Sequence, residues 1–461
     1  MDGKKSVIGM RHRVRSAILL LIIGILLLPL STPAGQAKNV ILMIGDGMGP
    51  SQFEAARLYS NHVLGKELRM VEVMKGGRTA YLVNSSADAV VTESAAAASQ
   101  IATGKMMTTG TISMGANAKT PVRTILEIAK DKEMATGLVT TSGITDATPA
   151  AFAAHVAQRS DEATVADQEL LAGIDVLLGG RRQFFLPVAA GGLRKDDRNL
   201  LDEARAAGYT VVTTTADLQK ASGGKILGLF NMGNMTYEID RAKTNEPSLA
   251  EMTTKTLQVL SRNRKGFFVL IEGGRIDHAS HQNDAAATIR DTLAFDEAVG
   301  AALEFQKRDP STMLIVTADH ETGGMTIIGD CKDGKKCVEI DFGAIQRVQA
   351  SFEVIADALG KNRTAGKVRE VVKRYLAIEI TDDEAKTVVS DPIRKLDPYN
   401  YPYPLLHSLA FVMRPYLGVG WGTARHTASP LLAFGSGPGS EGLVGFRHNT
   451  ELFRIMKNAI E

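Results

Sequence analysis

The chain is poor in cysteine, poor in aromatic residues and without an excess of either charge. Its only two cysteines, Cys331 and Cys337, allow a single pairing within the chain, which excludes a fold stapled by several disulfides. They sit in "CKDGKKC", where the central Asp-Gly reads as a hairpin turn that the pair closes. A local structural disulfide is expected; free thiols or an adventitious metal site are the alternatives. Aromatics make up 5% of the residues while Gly numbers 44, a balance that suits an α/β fold with many tight turns. The 53 basic and 51 acidic residues provide no field of one sign, so nothing points to a nucleic-acid partner. Five of those basic residues and one acidic residue precede Lys38, so the rest of the chain carries 48 against 50. No repeat of fixed period and no long low-complexity segment is present.

An apolar run of about 20 residues, the length a membrane span needs, is also lacking. The nearest approach, Ala17 to Leu28, follows Lys4, Lys5, Arg11, Arg13 and Arg15 and precedes "LSTPAGQAK". These three parts read as a secretory signal over residues 1–37, cut after Ala37, with a retained anchor as the alternative. The expectation is an exported protein, periplasmic or extracellular, with no stable membrane insertion after cleavage.

What the sequence does contain is a series of short apolar runs alternating with helical stretches. "NVILMIGDG", "TGLVTT", "DVLLGG", "YTVVTT", "KILGLF", "FFVLIEGG", "TMLIVTADH" and "PLLAFGSG" are nearly continuous in apolar residues, as strands covered on both faces are. "SLAEMTTKTLQVLSRN" and "AAATIRDTLAFDEAVGAALEFQK" read as helices; the second carries Ile289, Leu293, Val299 and Leu303 in a stripe broken at Asp296. The pattern predicts an α/β fold, a three-layer sandwich around a large, mostly parallel central sheet. The order breaks after about residue 330. Residues 331–420 carry charged helical segments and the Pro- and Tyr-rich "DPYNYPYPLLH", and read as a helical insertion, a crown-like or cap region. The main domain then comprises 38–330 and 421–461.

Chemistry-bearing residues recur where strands end. Asp46 follows the first strand, Glu272 closes "FFVLIE", and Asp319 with His320 follows "MLIVTA". Ligands in open α/β sheets bind beyond the carboxyl ends of strands, so three such placements point to one shared site. Asp277 and His281 are four apart and share a helix face; carboxylate and imidazole together suit zinc. His426, before a late strand, is a candidate third ligand. Ser94 opens "SAAAASQIATG", a small-residue helix whose free N–H groups would face an anion; the plain alternative is a cap on a buried helix. Asp146 and Thr148 are hard oxygen ligands of the kind magnesium takes. Arg159 can hold two phosphate oxygens at once, although a surface ion pair is the commoner use of a lone arginine.

Together these segments resemble the alkaline phosphatase family, over about Asn39 to Gly329 and Gly422 to the C-terminus. The resemblance rests on Glu272, Asp277 and His281 at their spacing, on "DATP" with Arg159, and on "TADH" at 317–320. It implies a phosphate monoesterase with Ser94 as nucleophile and a phosphoserine intermediate. Asp277, His281 and His426 would hold one zinc, and Asp319, His320 and Asp46 the second. Asp46, Asp146, Thr148 and Glu272 would hold a third ion, magnesium. Arg159 would bind substrate phosphate, with Glu93 orienting it from a position where many relatives have Asp. A homodimer is also implied. His278 is expected as a hydrogen-bonding neighbour of the ligands, and His155 and Trp421 as packing residues; His62, His407 and His448 receive no role. The alternatives are a phosphodiesterase of the same superfamily and a non-catalytic secreted metal-binding relative. A sulfatase would need a "C-x-P-x-R" motif, which is absent.

Overall fold

The computed structural model describes residues 35–332, 336–338, 340–361, 363–391 and 406–461. The signal expected at 1–37 lies outside the described residues up to residue 34, as does most of "DPYNYPYPLLH". Residues Gln36–Glu461 form one compact unit.

Eight strands come first in the chain: β1 (Asn39–Ile44), β2 (Arg78–Val83), β3 (Ala135–Gly143), β4 (Val176–Gly180), β5 (Thr210–Val212), β6 (Ile226–Leu229), β7 (Phe267–Glu272) and β8 (Thr312–Thr317). Six short strands make three antiparallel ribbons: β9 (Glu321–Thr322) with β14 (His426–Thr427), β10 (Met325–Ile327) with β13 (Val419–Trp421), and β11 (Asp330–Lys332) with β12 (Lys336–Val338). Finally β15 (Leu431–Ser436) and β16 (Gly445–His448) join β1 to β8 in a ten-stranded sheet of order β16-β2-β15-β8-β1-β7-β3-β4-β6-β5. Only β15 runs against its neighbours. The mostly parallel sheet of the sequence reading is therefore the observed one.

The central strands β1, β7 and β8 are buried at every residue, which is why their sequences lack polar alternation. Helices cover them in two groups. Pro50–Tyr59, Arg69–Gly76, Leu249–Leu260 and Ala285–Arg308 pack together; Ser94–Thr103, Ile125–Asp131, Ala147–Ala153 and Glu451–Ile460 form the second group. The edge strands are another matter. β2 alternates exposed and buried residues, and Tyr81 of β2 stacks on Phe446 of β16 with both rings substantially open to solvent. Neither strand has a continuous apolar run, so neither stands out in the sequence.

The ends of the 331–420 segment are tied together. β10 and β13 pair Met325 with Trp421 across it, and its helices share the main buried core through Ile345, Ile355, Val372 and Leu409. The β11–β12 hairpin sets Cys331 directly opposite Cys337; the side chains of both, and with them the expected disulfide, lie outside the described residues.

The break at Asp296 has a physical cause. The helix Arg69–Gly76 begins after Leu68, which has no side-chain acceptor for its free N–H groups. Asp296, buried on the long helix Ala285–Arg308, accepts from the backbone N–H of Met70 (2.8 Å) and of Arg69 (3.0 Å). One helix thus caps another across 226 residues of sequence. Replacing Asp296 by Ala should cost about 1–2 kcal/mol, read as a lower denaturant midpoint with unchanged slope. An unchanged midpoint would show that the cap contributes nothing.

Candidate active site

Four strand ends build the floor. β8, β1, β7 and β3 are adjacent, parallel and level: Ile44 pairs with Glu272 and Thr317, and Thr140 with Glu272. The chain leaves these ends through Asp319 and His320, Asp46, Glu272 itself, and Asp146. All five side chains are buried. The turn after β1 needs its glycine. Gly47 has φ of 67°, and a Cβ there would lie 2.8 Å from both Asp277 Oδ1 and Thr322 Oγ1.

Asp277 and His281 project from the helix Arg275–His281, with His281 Nε2 3.3 Å from Asp277 Oδ2. His426 arrives on β14, its Nε2 3.2 Å from His281 Nε2. Hydrogen bonds fix which nitrogens carry protons. His281 Nδ1 lies 2.6 Å from Ala424 O and His426 Nδ1 3.2 Å from Thr92 O. Carbonyl oxygens only accept, so each Nδ1 donates and, in the neutral ring, each Nε2 keeps its lone pair. Two lone pairs facing each other at this distance, with Asp277 alongside, are metal-ligand geometry.

A second group comprises Asp46, Asp277 and His320, whose ligand atoms lie within 4.8 Å of one another. Thr322 Oγ1 donates to Asp277 and lies 3.2 Å from His320 Nδ1, which therefore donates to it. His320 Nε2 is left facing Asp319 Oδ2 at 3.2 Å and Asp46 Oδ1 at 3.6 Å.

The electrostatics fit cations. Burial, then Asp319, Asp277, Glu272 and Asp146, push the Asp46 carboxyl well above its usual range. Burial, with Asp146 and Asp319 nearby, pushes Glu272 up to about 8. Asp46 Oδ1, both Glu272 oxygens, Asp319 Oδ2 and Thr148 Oγ1 are buried without a hydrogen-bond donor. Orphaned oxygens among like charges are what divalent ions satisfy.

Ser94 sits at the opposite wall. Glu93 caps the helix Ser94–Thr103, accepting from Ala95 and Ala96, and also from Gly110 N. Asp146 caps the helix Ala147–Ala153. Ala95, Ala147 and Ala150 belong to one buried cluster, so small side chains let the two helices pack closely and aim both N-termini at the site. Ser94 Oγ is 3.1 Å from His320 Nε2. Arg159 spans the two caps: Nη1 donates to Glu93 Oε2 (2.6 Å) and Nη2 to Asp146 Oδ1 (3.0 Å). The longer Glu93 side chain therefore reaches Arg159 directly. With its side chain 36% exposed, Arg159 forms the open rim.

Some participants escaped the sequence reading. Arg181, in the left-handed conformation (φ 59°), holds Asp146 Oδ2 at 3.0 Å. Ser142 Oγ donates to the same oxygen. With Ala147 N and Arg159 on the other oxygen, Asp146 is satisfied by four donors. Burial would raise Asp146, but Arg181 and Arg159 hold it well below the usual carboxylate range. His407 Nε2 reaches His281 O (3.1 Å) and thus braces the His281 backbone. Thr322 lies two residues past "TADH" and carries no ligand signal in the sequence. His278 is buried beside Asp146, its Nε2 3.9 Å from Asp146 Oδ2, and burial, then Arg275, push its pKa down to about 3. His155 is a packing residue, bonded to Ser113 O and Glu127.

A hydroxyl on a helix N-terminus, an open guanidinium and paired groups of metal-type ligands define a hydrolase for phosphorylated substrates. The family described as alkaline phosphatase matches residues 37–461. The chain is 33% identical to alkaline phosphatase 4 of Bacillus subtilis (strain 168) over 92% of its own length and 89% of that protein. The crystal structure of Thermus thermophilus alkaline phosphatase superposes with a TM-score of 0.84 at 32% identity, covering 94% of this chain and 95% of that one. A variant of the alkaline phosphatase of the Antarctic bacterium TAB5, with magnesium bound in its M3 site, gives 0.67 at 25% identity, over 93% and 99% of the two chains. The chain belongs to the alkaline phosphatase family and is a metal-dependent phosphomonoesterase.

Two outcomes follow. Chelation should remove the counter-charge from the carboxylates and cost roughly 3 kcal/mol, the value for a ligand held at about 100 times its dissociation constant. Thermal unfolding with and without EDTA reads this, and coincident curves would count against ions in the cluster. Gly47→Ala should push Asp277 and Thr322 aside, lowering bound metal per chain as measured by plasma mass spectrometry; full metal content would show that the turn tolerates a side chain.

Proposed function

We propose that the protein is an exported alkaline phosphatase acting through a phosphoserine on Ser94, with two zinc ions and one magnesium. Asp277, His281 and His426 would hold one zinc, and Asp46, Asp319 and His320 the other. Magnesium would be held by Asp46, Thr148 and Glu272, with Asp146, its oxygens taken by four donors, standing beside them and holding Arg159. The magnesium of the TAB5 variant supports that ion for the third site. Bound there, the zincs supply Lewis acidity for the serine oxygen and the departing oxygen, and magnesium supplies order and counter-charge.

The chain's own groups do the rest. Arg159 grips two non-bridging phosphate oxygens, while the N-terminal N–H groups of the helix Ser94–Thr103 face the anion. Ser94 gives up its hydroxyl proton to water, its Oγ bonds to phosphorus, and the bond to the alcohol oxygen breaks. The alcohol leaves with a proton from water. Water then attacks the phosphoserine, the Oγ–phosphorus bond breaks, and Ser94 regains its proton as inorganic phosphate departs.

The observation that carries this reading is the position of Ser94 Oγ, 3.1 Å from His320 Nε2 on the same wall as Arg159. A terminal phosphate dianion gains most from an open guanidinium, which favours monoesters over diesters. Export and a homodimer complete the proposal, supported by the family resemblance.

The purified protein should hydrolyse a chromogenic phosphate monoester faster than the matching diester and carry two zincs and one magnesium per chain. Diester preference would move the function to a phosphodiesterase, and bound metal without turnover to a binding protein. Ser94→Ala should lower kcat by roughly 10³-fold or more with metal content retained. Residual turnover within tenfold of the parent would remove Ser94 from the role of nucleophile.

A further inference from the structure

We infer that Arg275 is a positioning residue that fixes His278 as a hydrogen-bond donor toward the third metal site and so makes that site prefer magnesium to zinc. The inference rests on the reading of Asp46, Thr148 and Glu272 as that site's oxygens.

Arg275 opens the helix that carries Asp277 and His281 and is 2% exposed. Its guanidinium lies over the Tyr237 ring, 3.5 Å from the centroid. Nη2 donates to Glu353 Oε2 at 2.8 Å, and Nη1 lies 3.0 Å from His278 Nδ1. A guanidinium has donors and no acceptor. His278 Nδ1 must therefore accept, which places the ring proton on Nε2. That nitrogen faces Asp146 Oδ2, at 3.9 Å. His278 thus turns an N–H toward Asp146, which stands beside the third site.

The contrast with the other histidines is chemical. His281 and His426 set Nδ1 against carbonyl oxygens and turn lone pairs inward. His278 sets Nδ1 against a donor and turns a proton inward. An imidazole ligates zinc through a lone pair, so His278 in this form cannot ligate. Hard oxygens alone remain, which favours magnesium over zinc. Replace Arg275 with a side chain that does not donate, and the ring can move its proton to Nδ1 and offer Nε2 to zinc.

Glu353 makes the device answer to the 331–420 segment. It lies on the helix Phe352–Leu359, and its other oxygen accepts from Gln282 Nε2 (3.3 Å), which also reaches the Tyr237 hydroxyl (2.9 Å). Arg275 is held by that segment on one side and holds His278 on the other.

The test has two readouts. Nitrogen-15 NMR of the histidine-labelled wild type, with the His278 signals assigned by their loss in His278→Gln, should show Nε2 protonated and Nδ1 bare. Separately, wild type, Arg275→Met, Arg275→Lys and Glu353→Gln are equilibrated with equal magnesium and zinc, and metal is counted by plasma mass spectrometry. Wild type should keep one magnesium beside two zincs. Arg275→Met should lower the magnesium-to-zinc ratio at the third site by roughly tenfold or more, the size of effect expected for a residue supporting metal ligands. Glu353→Gln should shift it in the same direction, and Arg275→Lys should restore it. A proton on Nδ1 of His278, or a folded Arg275→Met protein with an unchanged ratio, overturns the role of Arg275. If Arg275→Met fails to fold, the wild-type tautomer and Glu353→Gln decide. A wild type with no third ion overturns the magnesium reading itself, independently of the tautomer.

Discussion

The site is organised around repulsion between carboxylates. Asp46, Glu272, Asp277 and Asp319 are buried together where parallel strands end level, with Asp146 beside them. Two unit charges about 4 Å apart repel by about 4 kcal/mol at the effective dielectric of a protein. Rigid strand ends cannot relax that by moving apart. The sheet therefore creates a demand for positive charge at one place, and His281, His426 and His320 all turn Nε2 toward it.

Arginine sorts the carboxylates into two kinds. Glu93 and Asp146 are held down, against burial, by Arg159 and, for Asp146, Arg181. Asp46 and Glu272, buried among other carboxylates, are driven up. The first kind cap helices and position the rim; the second kind are left open to ions. A single shared residue, Arg159, thus links the helix that presents Ser94 to the helix that presents Thr148, and the same guanidinium faces solvent where an anion enters.

Much of this was legible because parallel interior strands announce themselves. β1, β3, β7 and β8 stood out as apolar runs, and the acidic groups stood out as their immediate sequel. The edge strands β2 and β16 did not, since half their residues face water. Asp296 read as a flaw in a helix stripe because its partner, the helix start at Arg69, lies more than 200 residues away in sequence. Arg181 follows two glycines in no motif, and its place beside Asp146 depends on a left-handed turn that sequence does not signal. His426 stood as a candidate third ligand by residue type and by its place before a late strand, but nothing local to "GTARHTAS" ties it to His281; the family resemblance supplied that grouping. Asp146 read as a metal ligand by residue type; two of its four donors, Ser142 Oγ and Ala147 N, are local, and Arg159 and Arg181 come from farther along the chain.

The 331–420 segment reads in the sequence as a helical insertion, and its bonds reach the site. His407 braces the backbone of His281, and β13, where the segment rejoins the sheet domain, leads directly into Ala424 and His426. Ala424 O then fixes the His281 tautomer. Metal-binding imidazoles take their orientation from what their second nitrogen touches. For His281 that contact immediately follows β13, whereas His426 takes its own from Thr92 O and His320 from Thr322 Oγ1. A change in the packing of that segment would act first on the His281 ring, before it touched the strands that carry the carboxylates.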